Sequence, residues 1–228
     1  MDQFDMIEIL KPCDLEEGSY VSMCFDAMRS LAGRWYLVAD SENEKATVLE
    51  RNYVLSLVFQ LGRMTNHNSE FGTIFFPSGE NNKYIDNNLK EISETYKDLY
   101  EKELRHSYEV IPDLVIHSSH DKRAKDSNGQ RVILEAKTTQ ALSKVAFFKD
   151  FFKLNVYLCS LNYDNAIYLI INTEKERIEE LIKLYLRNNL FKVKEKLENL
   201  RFFIQENKDA PPCVYRLSDE FIYIIKAE

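Results

Sequence analysis

The sequence is short of the features that mark membrane, secreted and disulfide-stabilised proteins. None of its apolar runs reaches the ~18 residues that a membrane-spanning helix needs. The opening residues, MDQFDMIEILKPC, lack the basic start and long apolar stretch of a signal peptide, so we expect a cytoplasmic protein with no membrane partner. The four cysteines are scattered without a CxxC pair, which predicts neither a zinc knuckle nor a disulfide framework.

Glycine and proline are also scarce, with six and five residues respectively in 228, and no low-complexity tract, repeat or flexible linker is evident. The motifs GxxxxGK[ST], GxGxxG, GxSxG and HExxH are absent, which leaves an NTP-driven or zinc-hydrolase reaction without support. The net charge of -7 argues against a protein coated in basic residues for loose nucleic-acid binding. A local basic groove remains compatible with that total.

What the sequence does contain is enough apolar material for one full core, since 45% of its residues are hydrophobic. We predict a single α/β domain with a mixed central sheet flanked by helices. Its parts would be an N-terminal extension (1–45), a core (46–172) and a C-terminal extension of helices and short strands (173–228).

The periodicity of apolar residues predicts the order of helices and strands. Helices are predicted at 19–32, 41–64, 84–105, 141–162, 174–188 and 190–205, and strands at 34–40, 71–79, 107–117, 131–137, 165–172, 213–217 and 221–226. The helix at 41–64 is predicted to begin at a Ser41 cap and to carry Val48, Leu55, Val58 and Phe59 on its apolar face. The strands at 107–117 and 131–137 are predicted to form a hairpin because an Asn-Gly turn signal lies between them.

This predicted hairpin carries charged residues among its aliphatic ones. Glu135 and Lys137 are two apart and therefore share one face of their strand, opposite Leu134 and Ala136. Asp113 begins the partner strand, so pairing can bring its carboxylate beside Glu135. Two neighbouring carboxylates repel each other unless a cation lies between them, and such hard oxygen ligands suit Mg²⁺. The sequence thus predicts a Mg²⁺ site, with Mn²⁺ as a substitute, beside a lysine suited to phosphodiester hydrolysis.

The pattern Pro112-Asp113, twenty-one residues, then Glu135-Ala136-Lys137 resembles the PD-(D/E)XK nuclease superfamily of restriction enzymes, repair exonucleases and junction resolvases. The resemblance covers roughly residues 46–172 and implies a restriction endonuclease-like core. It implies that Asp113 and Glu135 bind the metal, that Glu50 assists as the upstream acid, and that Lys137 positions the nucleophile.

Recombination-type members carry Gln, three residues, then Tyr on the next helix. Here Lys153 and Tyr157 have that spacing, with Lys in place of Gln, so no subgroup is assigned.

The resemblance implies a Mg²⁺-dependent nuclease, which we expect to be a DNA endonuclease of defence or of repair and recombination. Further candidates for substrate contact are Gln140, Lys153, Tyr157, Lys192 and Lys196. The last two are four apart and would share a helix face able to contact one phosphate backbone. DNA versus RNA, endo- versus exonuclease, pathway and oligomeric state, monomer or homodimer, stay open.

Plainer interpretations accompany each of these candidates. Pro-Asp is common in turns, and an acid two residues from a lysine is commonly a solvated pair. Glu50 could serve only the helix dipole, Gln140 could cap a helix, Tyr157 could be core, and Lys192 with Lys196 could be a solvated helix flank. An inactive PD-(D/E)XK module for nucleic-acid binding or protein interaction is the principal alternative. A structural α/β protein without a nucleic-acid partner is a third.

Overall fold

A six-stranded mixed sheet organises the chain. The computed structural model describes residues 7–31, 37–39, 46–48, 50–65, 83–84, 109–110, 112–117, 130–139, 142–160, 163–188, 194, 196–207 and 209–227. Its strands are β1 (Leu10–Pro12), β2 (Leu37–Ala39), β3 (Ala46–Val48), β4 (Lys83–Tyr84), β5 (Glu109–Val110), β6 (Leu114–His117), β7 (Gln130–Lys137), β8 (Asn165–Ile171), β9 (Leu200–Gln205) and β10 (Cys213–Leu217). Its α-helices are α1 (Tyr20–Ser30), α2 (Glu50–Thr65), α3 (Lys144–Ser160), α4 (Lys175–Arg187) and α5 (Asp219–Ala227).

The strand order in this sheet is β1-β10-β9-β8-β7-β6. Strand β7 pairs with β6 in an antiparallel hairpin, as predicted, while β7, β8 and β9 run parallel to one another. Helix α3 provides the crossover from β7 to β8, the connection that a parallel pair requires. Strands β2 with β3 and β4 with β5 form two small separate pairs.

Helices cover both faces of the sheet. One apolar core lies between the sheet and α3, α4 and α5, and the other lies between the sheet and α1 and α2. Strand β7 shows how one strand serves both, because Ile133 belongs to the first core and Leu134 to the second. The α/β class with a mixed sheet flanked by helices is therefore confirmed. No helix among the described segments is long and apolar enough to cross a membrane.

Several predicted elements have the expected type. Helices α1, α3 and α4 and strands β2, β8 and β10 lie within their predicted segments. Strand β8 is buried along both faces, as its continuous aliphatic run predicts. The strand predicted at 71–79 lies outside the described residues, as does the helix predicted at 84–105 except Tyr84, which belongs to β4.

Helix α2 begins later than predicted and buries a different face. It begins at Glu50, because residues 46–48 form β3 in a pair with β2; Ser41 lies outside the described residues. Its buried positions are Tyr53, Leu57 and Leu61, spaced four apart on one side of the helix. Leu55 and Phe59, predicted to be apolar-face residues, are 57% and 66% exposed.

Two predictions in the C-terminal quarter are wrong in type. Residues 200–205, predicted as part of a helix, form β9, with a 3-10 turn (Leu197–Asn199) before it. The cause is that helices cover both faces of the sheet at β9, so consecutive residues such as Phe202 and Phe203 are both buried. The segment 221–226, predicted as a strand, belongs to α5, because Ser218 caps the helix by accepting a hydrogen bond from the Phe221 N–H (3.1 Å).

The sheet extends beyond the predicted core at 46–172. Strand β9 pairs with β8, β10 pairs with β9, and β1 from the first 45 residues pairs with β10. Both predicted extensions therefore contribute strands to the same sheet that carries Glu135 and Lys137.

Candidate active site

The charged residues of the predicted hairpin meet at the carboxyl end of β7. Leu114 pairs with Leu134, so the antiparallel register places Asp113, just before β6, alongside the end of β7. The Asp113 Oδ2 atom accepts a hydrogen bond of 2.7 Å from the Ala136 N–H, beyond the last paired residue of the hairpin. This contact holds the Asp113 carboxylate next to Glu135 and Lys137.

Glu135 is almost completely buried, with 1% of its surface exposed. Its Oε2 atom lies 2.7 Å from the Lys153 Nζ, and its Oε1 atom accepts a hydrogen bond of 3.1 Å from the Tyr157 hydroxyl. Both partners lie on α3, the helix that follows β7. The prediction that Tyr157 is a core residue is confirmed, because its ring is buried, and its hydroxyl also binds Glu135. The predicted contact of Tyr157 with substrate stays a prediction.

Lys137 is held between two acids from different helices. Its Nζ donates to both carboxylate oxygens of Glu50, each at 3.2 Å, and lies 3.0 Å from Asp150 Oδ2. Glu50 is the first residue of α2, and its contact with Lys137 brings it into the cluster. Its predicted role as a metal ligand stays a prediction.

Asp150 is the site residue that sequence reasoning missed. It is 3% exposed, and its Oδ1 atom lies 3.0 Å from the Lys153 Nζ. Asp150, Lys153 and Tyr157 stand at positions i, i+3 and i+7 and so share one face of α3. The available signal was an acid within the aromatic run FFKDFFK, where a charge on a buried helix face requires a partner.

Aromatic packing fixes α3 against the sheet. The rings of Phe147 and Phe151 stack with centroids 5.2 Å apart, and the Phe147 ring lies 5.4 Å from that of Tyr168 on β8. Because both phenylalanines are fully buried, α3 cannot rotate without breaking this packing. The site-facing side of the helix therefore has a fixed orientation.

Burial is the largest cause of the pKa shifts of Glu50, Asp113 and Glu135. It raises the pKa of Glu135 to about 8, against the lowering effect of Lys153. It also raises the pKa of Glu50, against Lys137, and the pKa of Asp113, against the hydrogen bond from Ala136. The ionised form of each of these three carboxylates is therefore destabilised, and binding of a proton or a cation relieves this.

The pKa values of the two lysines are also raised, but by neighbouring charges and not by burial. Burial alone would lower the pKa of Lys137, but Asp150 and Glu50 outweigh it and the net pKa is raised. Likewise, Glu135 and Asp150 overcome the burial of Lys153 and raise its pKa. Both ammonium groups therefore stay charged at neutral pH.

The chemistry of the donors suits a hard divalent cation. Four carboxylates face two ammonium groups, so the ionised cluster has two negative charges in excess among the residues that the structure describes. The carboxylates nevertheless lie at ion-pair distances from the two lysines. In the described part of the chain, no three Asp, Glu, His or Cys side chains form a group that could hold a metal ion.

The remaining predicted substrate contacts are Gln140, Lys192 and Lys196. Gln140 and Lys192 lie outside the described residues. Lys196 is not helical, since it has φ = 55° in the turn before Leu197–Asn199, so the predicted helix face shared with Lys192 is wrong for Lys196. It precedes Leu200, which pairs with Ala166 at the start of β8, so Lys196 lies at the end of the sheet opposite to Lys137.

Comparison with known proteins does not place the chain in a family. No protein-family model matches it, and neither the curated proteins nor the solved structures contain a match.

Proposed function

We propose that this protein is a Mg²⁺-dependent nuclease of the PD-(D/E)XK type, with a restriction endonuclease-like core, acting on DNA as an endonuclease. One observation carries the proposal. Glu50, Asp113, Glu135 and Lys137, which span 88 positions of the sequence, contribute to one charged cluster at the end of β7. The order of α2, the hairpin β6–β7, α3 and the parallel strand β8 supports the proposed core.

The proposed roles follow from the position of each group. Asp113 and Glu135, assisted by Glu50, are the residues that would hold the cation. When bound, Mg²⁺ supplies Lewis-acid polarisation of the phosphate and lowers the pKa of a coordinated water. The Lys137 side chain is 19% exposed, and its ammonium would orient the attacking water or stabilise developing negative charge. Tyr157 and Lys153 keep the Glu135 carboxylate in a fixed orientation.

A second candidate is an inactive module of the same fold that binds nucleic acid or a protein. The observation that favours it is the occupation of both Glu135 oxygens by Lys153 and Tyr157. In an inactive protein these contacts would be permanent and the cluster would bind no divalent cation. Calorimetric titration with Mg²⁺ and Mn²⁺ separates the candidates, because only the nuclease should bind them.

The decisive experiment is a cleavage assay on plasmid, linear duplex, single-stranded DNA and RNA, with Mg²⁺, Mn²⁺ or EDTA. The proposal expects metal-dependent cleavage that disappears in Glu135→Gln. Glu180→Gln is the matched control, because this side chain is 64% exposed on α4 and pairs with Arg177. Cleavage by Glu135→Gln at the wild-type rate, or in EDTA, would exclude the proposed site.

A further inference from the structure

Asp150 joins the two lysines of the cluster. Its two carboxylate oxygens are used separately, with Oδ2 3.0 Å from the Lys137 Nζ and Oδ1 3.0 Å from the Lys153 Nζ. Since Lys153 also contacts Glu135, a continuous chain of ion pairs runs from Lys137 through Asp150 and Lys153 to Glu135. Asp150 is the central link of that chain.

The two acids that contact Lys137 restrain it to different degrees. The side chain of Glu50 is 40% exposed, whereas that of Asp150 is 4% exposed. Ion pairs in contact with water are weak and mobile, because solvent screens them and competes for the same groups. The buried carboxylate has no such competition, and the stacking of Phe147 on Phe151 fixes the helix that carries it.

We propose that Asp150 is a positioning residue of this site, which fixes the Lys137 ammonium directly and the Glu135 carboxylate through Lys153. The kinetic part of this inference rests on the proposed nuclease function. The structural part, that Asp150 immobilises Lys137, does not. Asp150 itself needs no contact with substrate, and its effect reaches the reaction through the lysine that it orients.

The structural part is tested by NMR of the lysine ammonium groups. A lysine held in buried ion pairs exchanges its ammonium protons slowly enough to give a separate ¹H–¹⁵N signal, whereas an exposed lysine does not. Wild type should show signals for Lys137 and Lys153, each assigned by its loss in Lys137→Ala or Lys153→Met. Asp150→Asn should lose or broaden the Lys137 signal, and Glu50→Gln should retain it. An unchanged Lys137 signal in Asp150→Asn would overturn the proposal.

The kinetic part is tested by the effects on kcat and KM. A displacement of about 1 Å in a positioned group can slow turnover about 100-fold, so Asp150→Asn should lower kcat by about 10- to 100-fold and leave KM for DNA within about threefold of wild type. Asp164→Asn is the matched control, because Asp164 is 49% exposed and pairs with Arg131 outside the cluster. A higher KM with unchanged kcat would overturn the kinetic role.

The role of Asp150 can still be decided if the wild type is inactive or if Asp150→Asn does not fold. If wild type cleaves no substrate, the proposed function fails and the NMR result alone decides the role of Asp150. If Asp150→Asn does not fold by circular dichroism, the charge-balanced variant Asp150→Asn/Lys153→Met is compared with Lys153→Met. Loss of the Lys137 signal only in the double variant supports the proposal, and its retention there overturns it.

Discussion

The Lys153 Nζ lies 2.7 Å from Glu135 Oε2, and the two side chains are 9% and 2% exposed. Lysine occupies a position at which the resemblance to recombination-type nucleases leads one to expect glutamine. An amide would donate a hydrogen bond to Glu135 but would leave its charge in place, whereas the ammonium neutralises it. The protein thus stabilises its buried glutamate with a charge of its own.

Replacement of Lys153 should destabilise the fold. Lys153→Met leaves Glu135 and Asp150 without their shared cation, and breaking a buried ion pair in this way costs about 3–5 kcal/mol. Urea unfolding at about pH 9, where Glu135 is ionised because its pKa is about 8, measures the change. Lys144→Met on the same helix is the control, because Lys144 is exposed and lies over the Phe148 ring, a contact worth about 0.5–1 kcal/mol. Equal losses in the two variants would contradict the importance of the buried pair.

The stability of the metal-free protein should fall as pH rises between about 4.5 and about 8. Burial raises the pKa of Glu135 to about 8, so the folded state binds a proton there that the unfolded state releases near its ordinary pKa of about 4.3. Each further rise in pH within this window therefore favours unfolding, by about 1.4 kcal/mol per unit for one group. The raised pKa values of Glu50 and Asp113 act in the same direction.

Urea unfolding in EDTA at several pH values measures this slope. The lysines do not contribute to it, since their pKa values are raised from an ordinary 10.5 and lie above the window. Glu135→Gln should flatten the slope because it removes the group with the largest shift. A stability that stays constant or rises across the window in wild type would show that these carboxylates remain ionised throughout.

Lys137→Ala should separate metal binding from turnover. The substitution removes a positive charge whose proposed action is on the transition state, and it leaves Asp113 and Glu135 in place. We expect kcat to fall at least about 100-fold while the calorimetric Kd for Mn²⁺ stays within about threefold. Unchanged turnover would show that Lys137 only neutralises Glu50 and Asp150.

Phe202→Ala tests the assignment of β9 to the centre of the sheet. The Phe202 ring is fully buried, with its centroid 6.0 Å from that of Phe151, so its removal should cost about 3–5 kcal/mol. Phe59→Ala is the matched control, because Phe59 is 66% exposed, and it should change stability by less than about 0.5 kcal/mol. A larger loss of stability in Phe59→Ala than in Phe202→Ala would mean that residues 200–205 do not form a buried strand.

Local periodicity was sufficient to predict much of the site. Alternation along residues 131–137 places Glu135 and Lys137 on one face of a strand, and a hairpin then brings Asp113 beside them. The helical spacing of Lys153 and Tyr157 likewise predicts that both point in one direction. These inferences hold because each depends on the geometry of one element or one tight pair.

The partners of these residues could not be predicted in the same way. The contact of Asp150 with Lys137 depends on how α3 docks on the sheet, and no spacing within α3 reveals that rotation. Strand β9 and helix α5 were mispredicted for a related reason. Phe202 and Phe203 are both buried because helices cover both faces of the sheet, and that surrounding structure overrides local propensity.

The pairing of β1 with β10 gives the chain an order of assembly. Leu10 pairs with Leu217, so β1 leaves the ribosome about 200 residues before its partner strand exists. At about 5–20 residues per second, that interval lasts roughly ten to forty seconds. Until residues 213–217 have been synthesised, Leu10, which is buried in the finished protein, has no strand with which to pair. Strand β1 therefore cannot pair before then, and a ribosome that stalls before residue 213 leaves β1 without a partner.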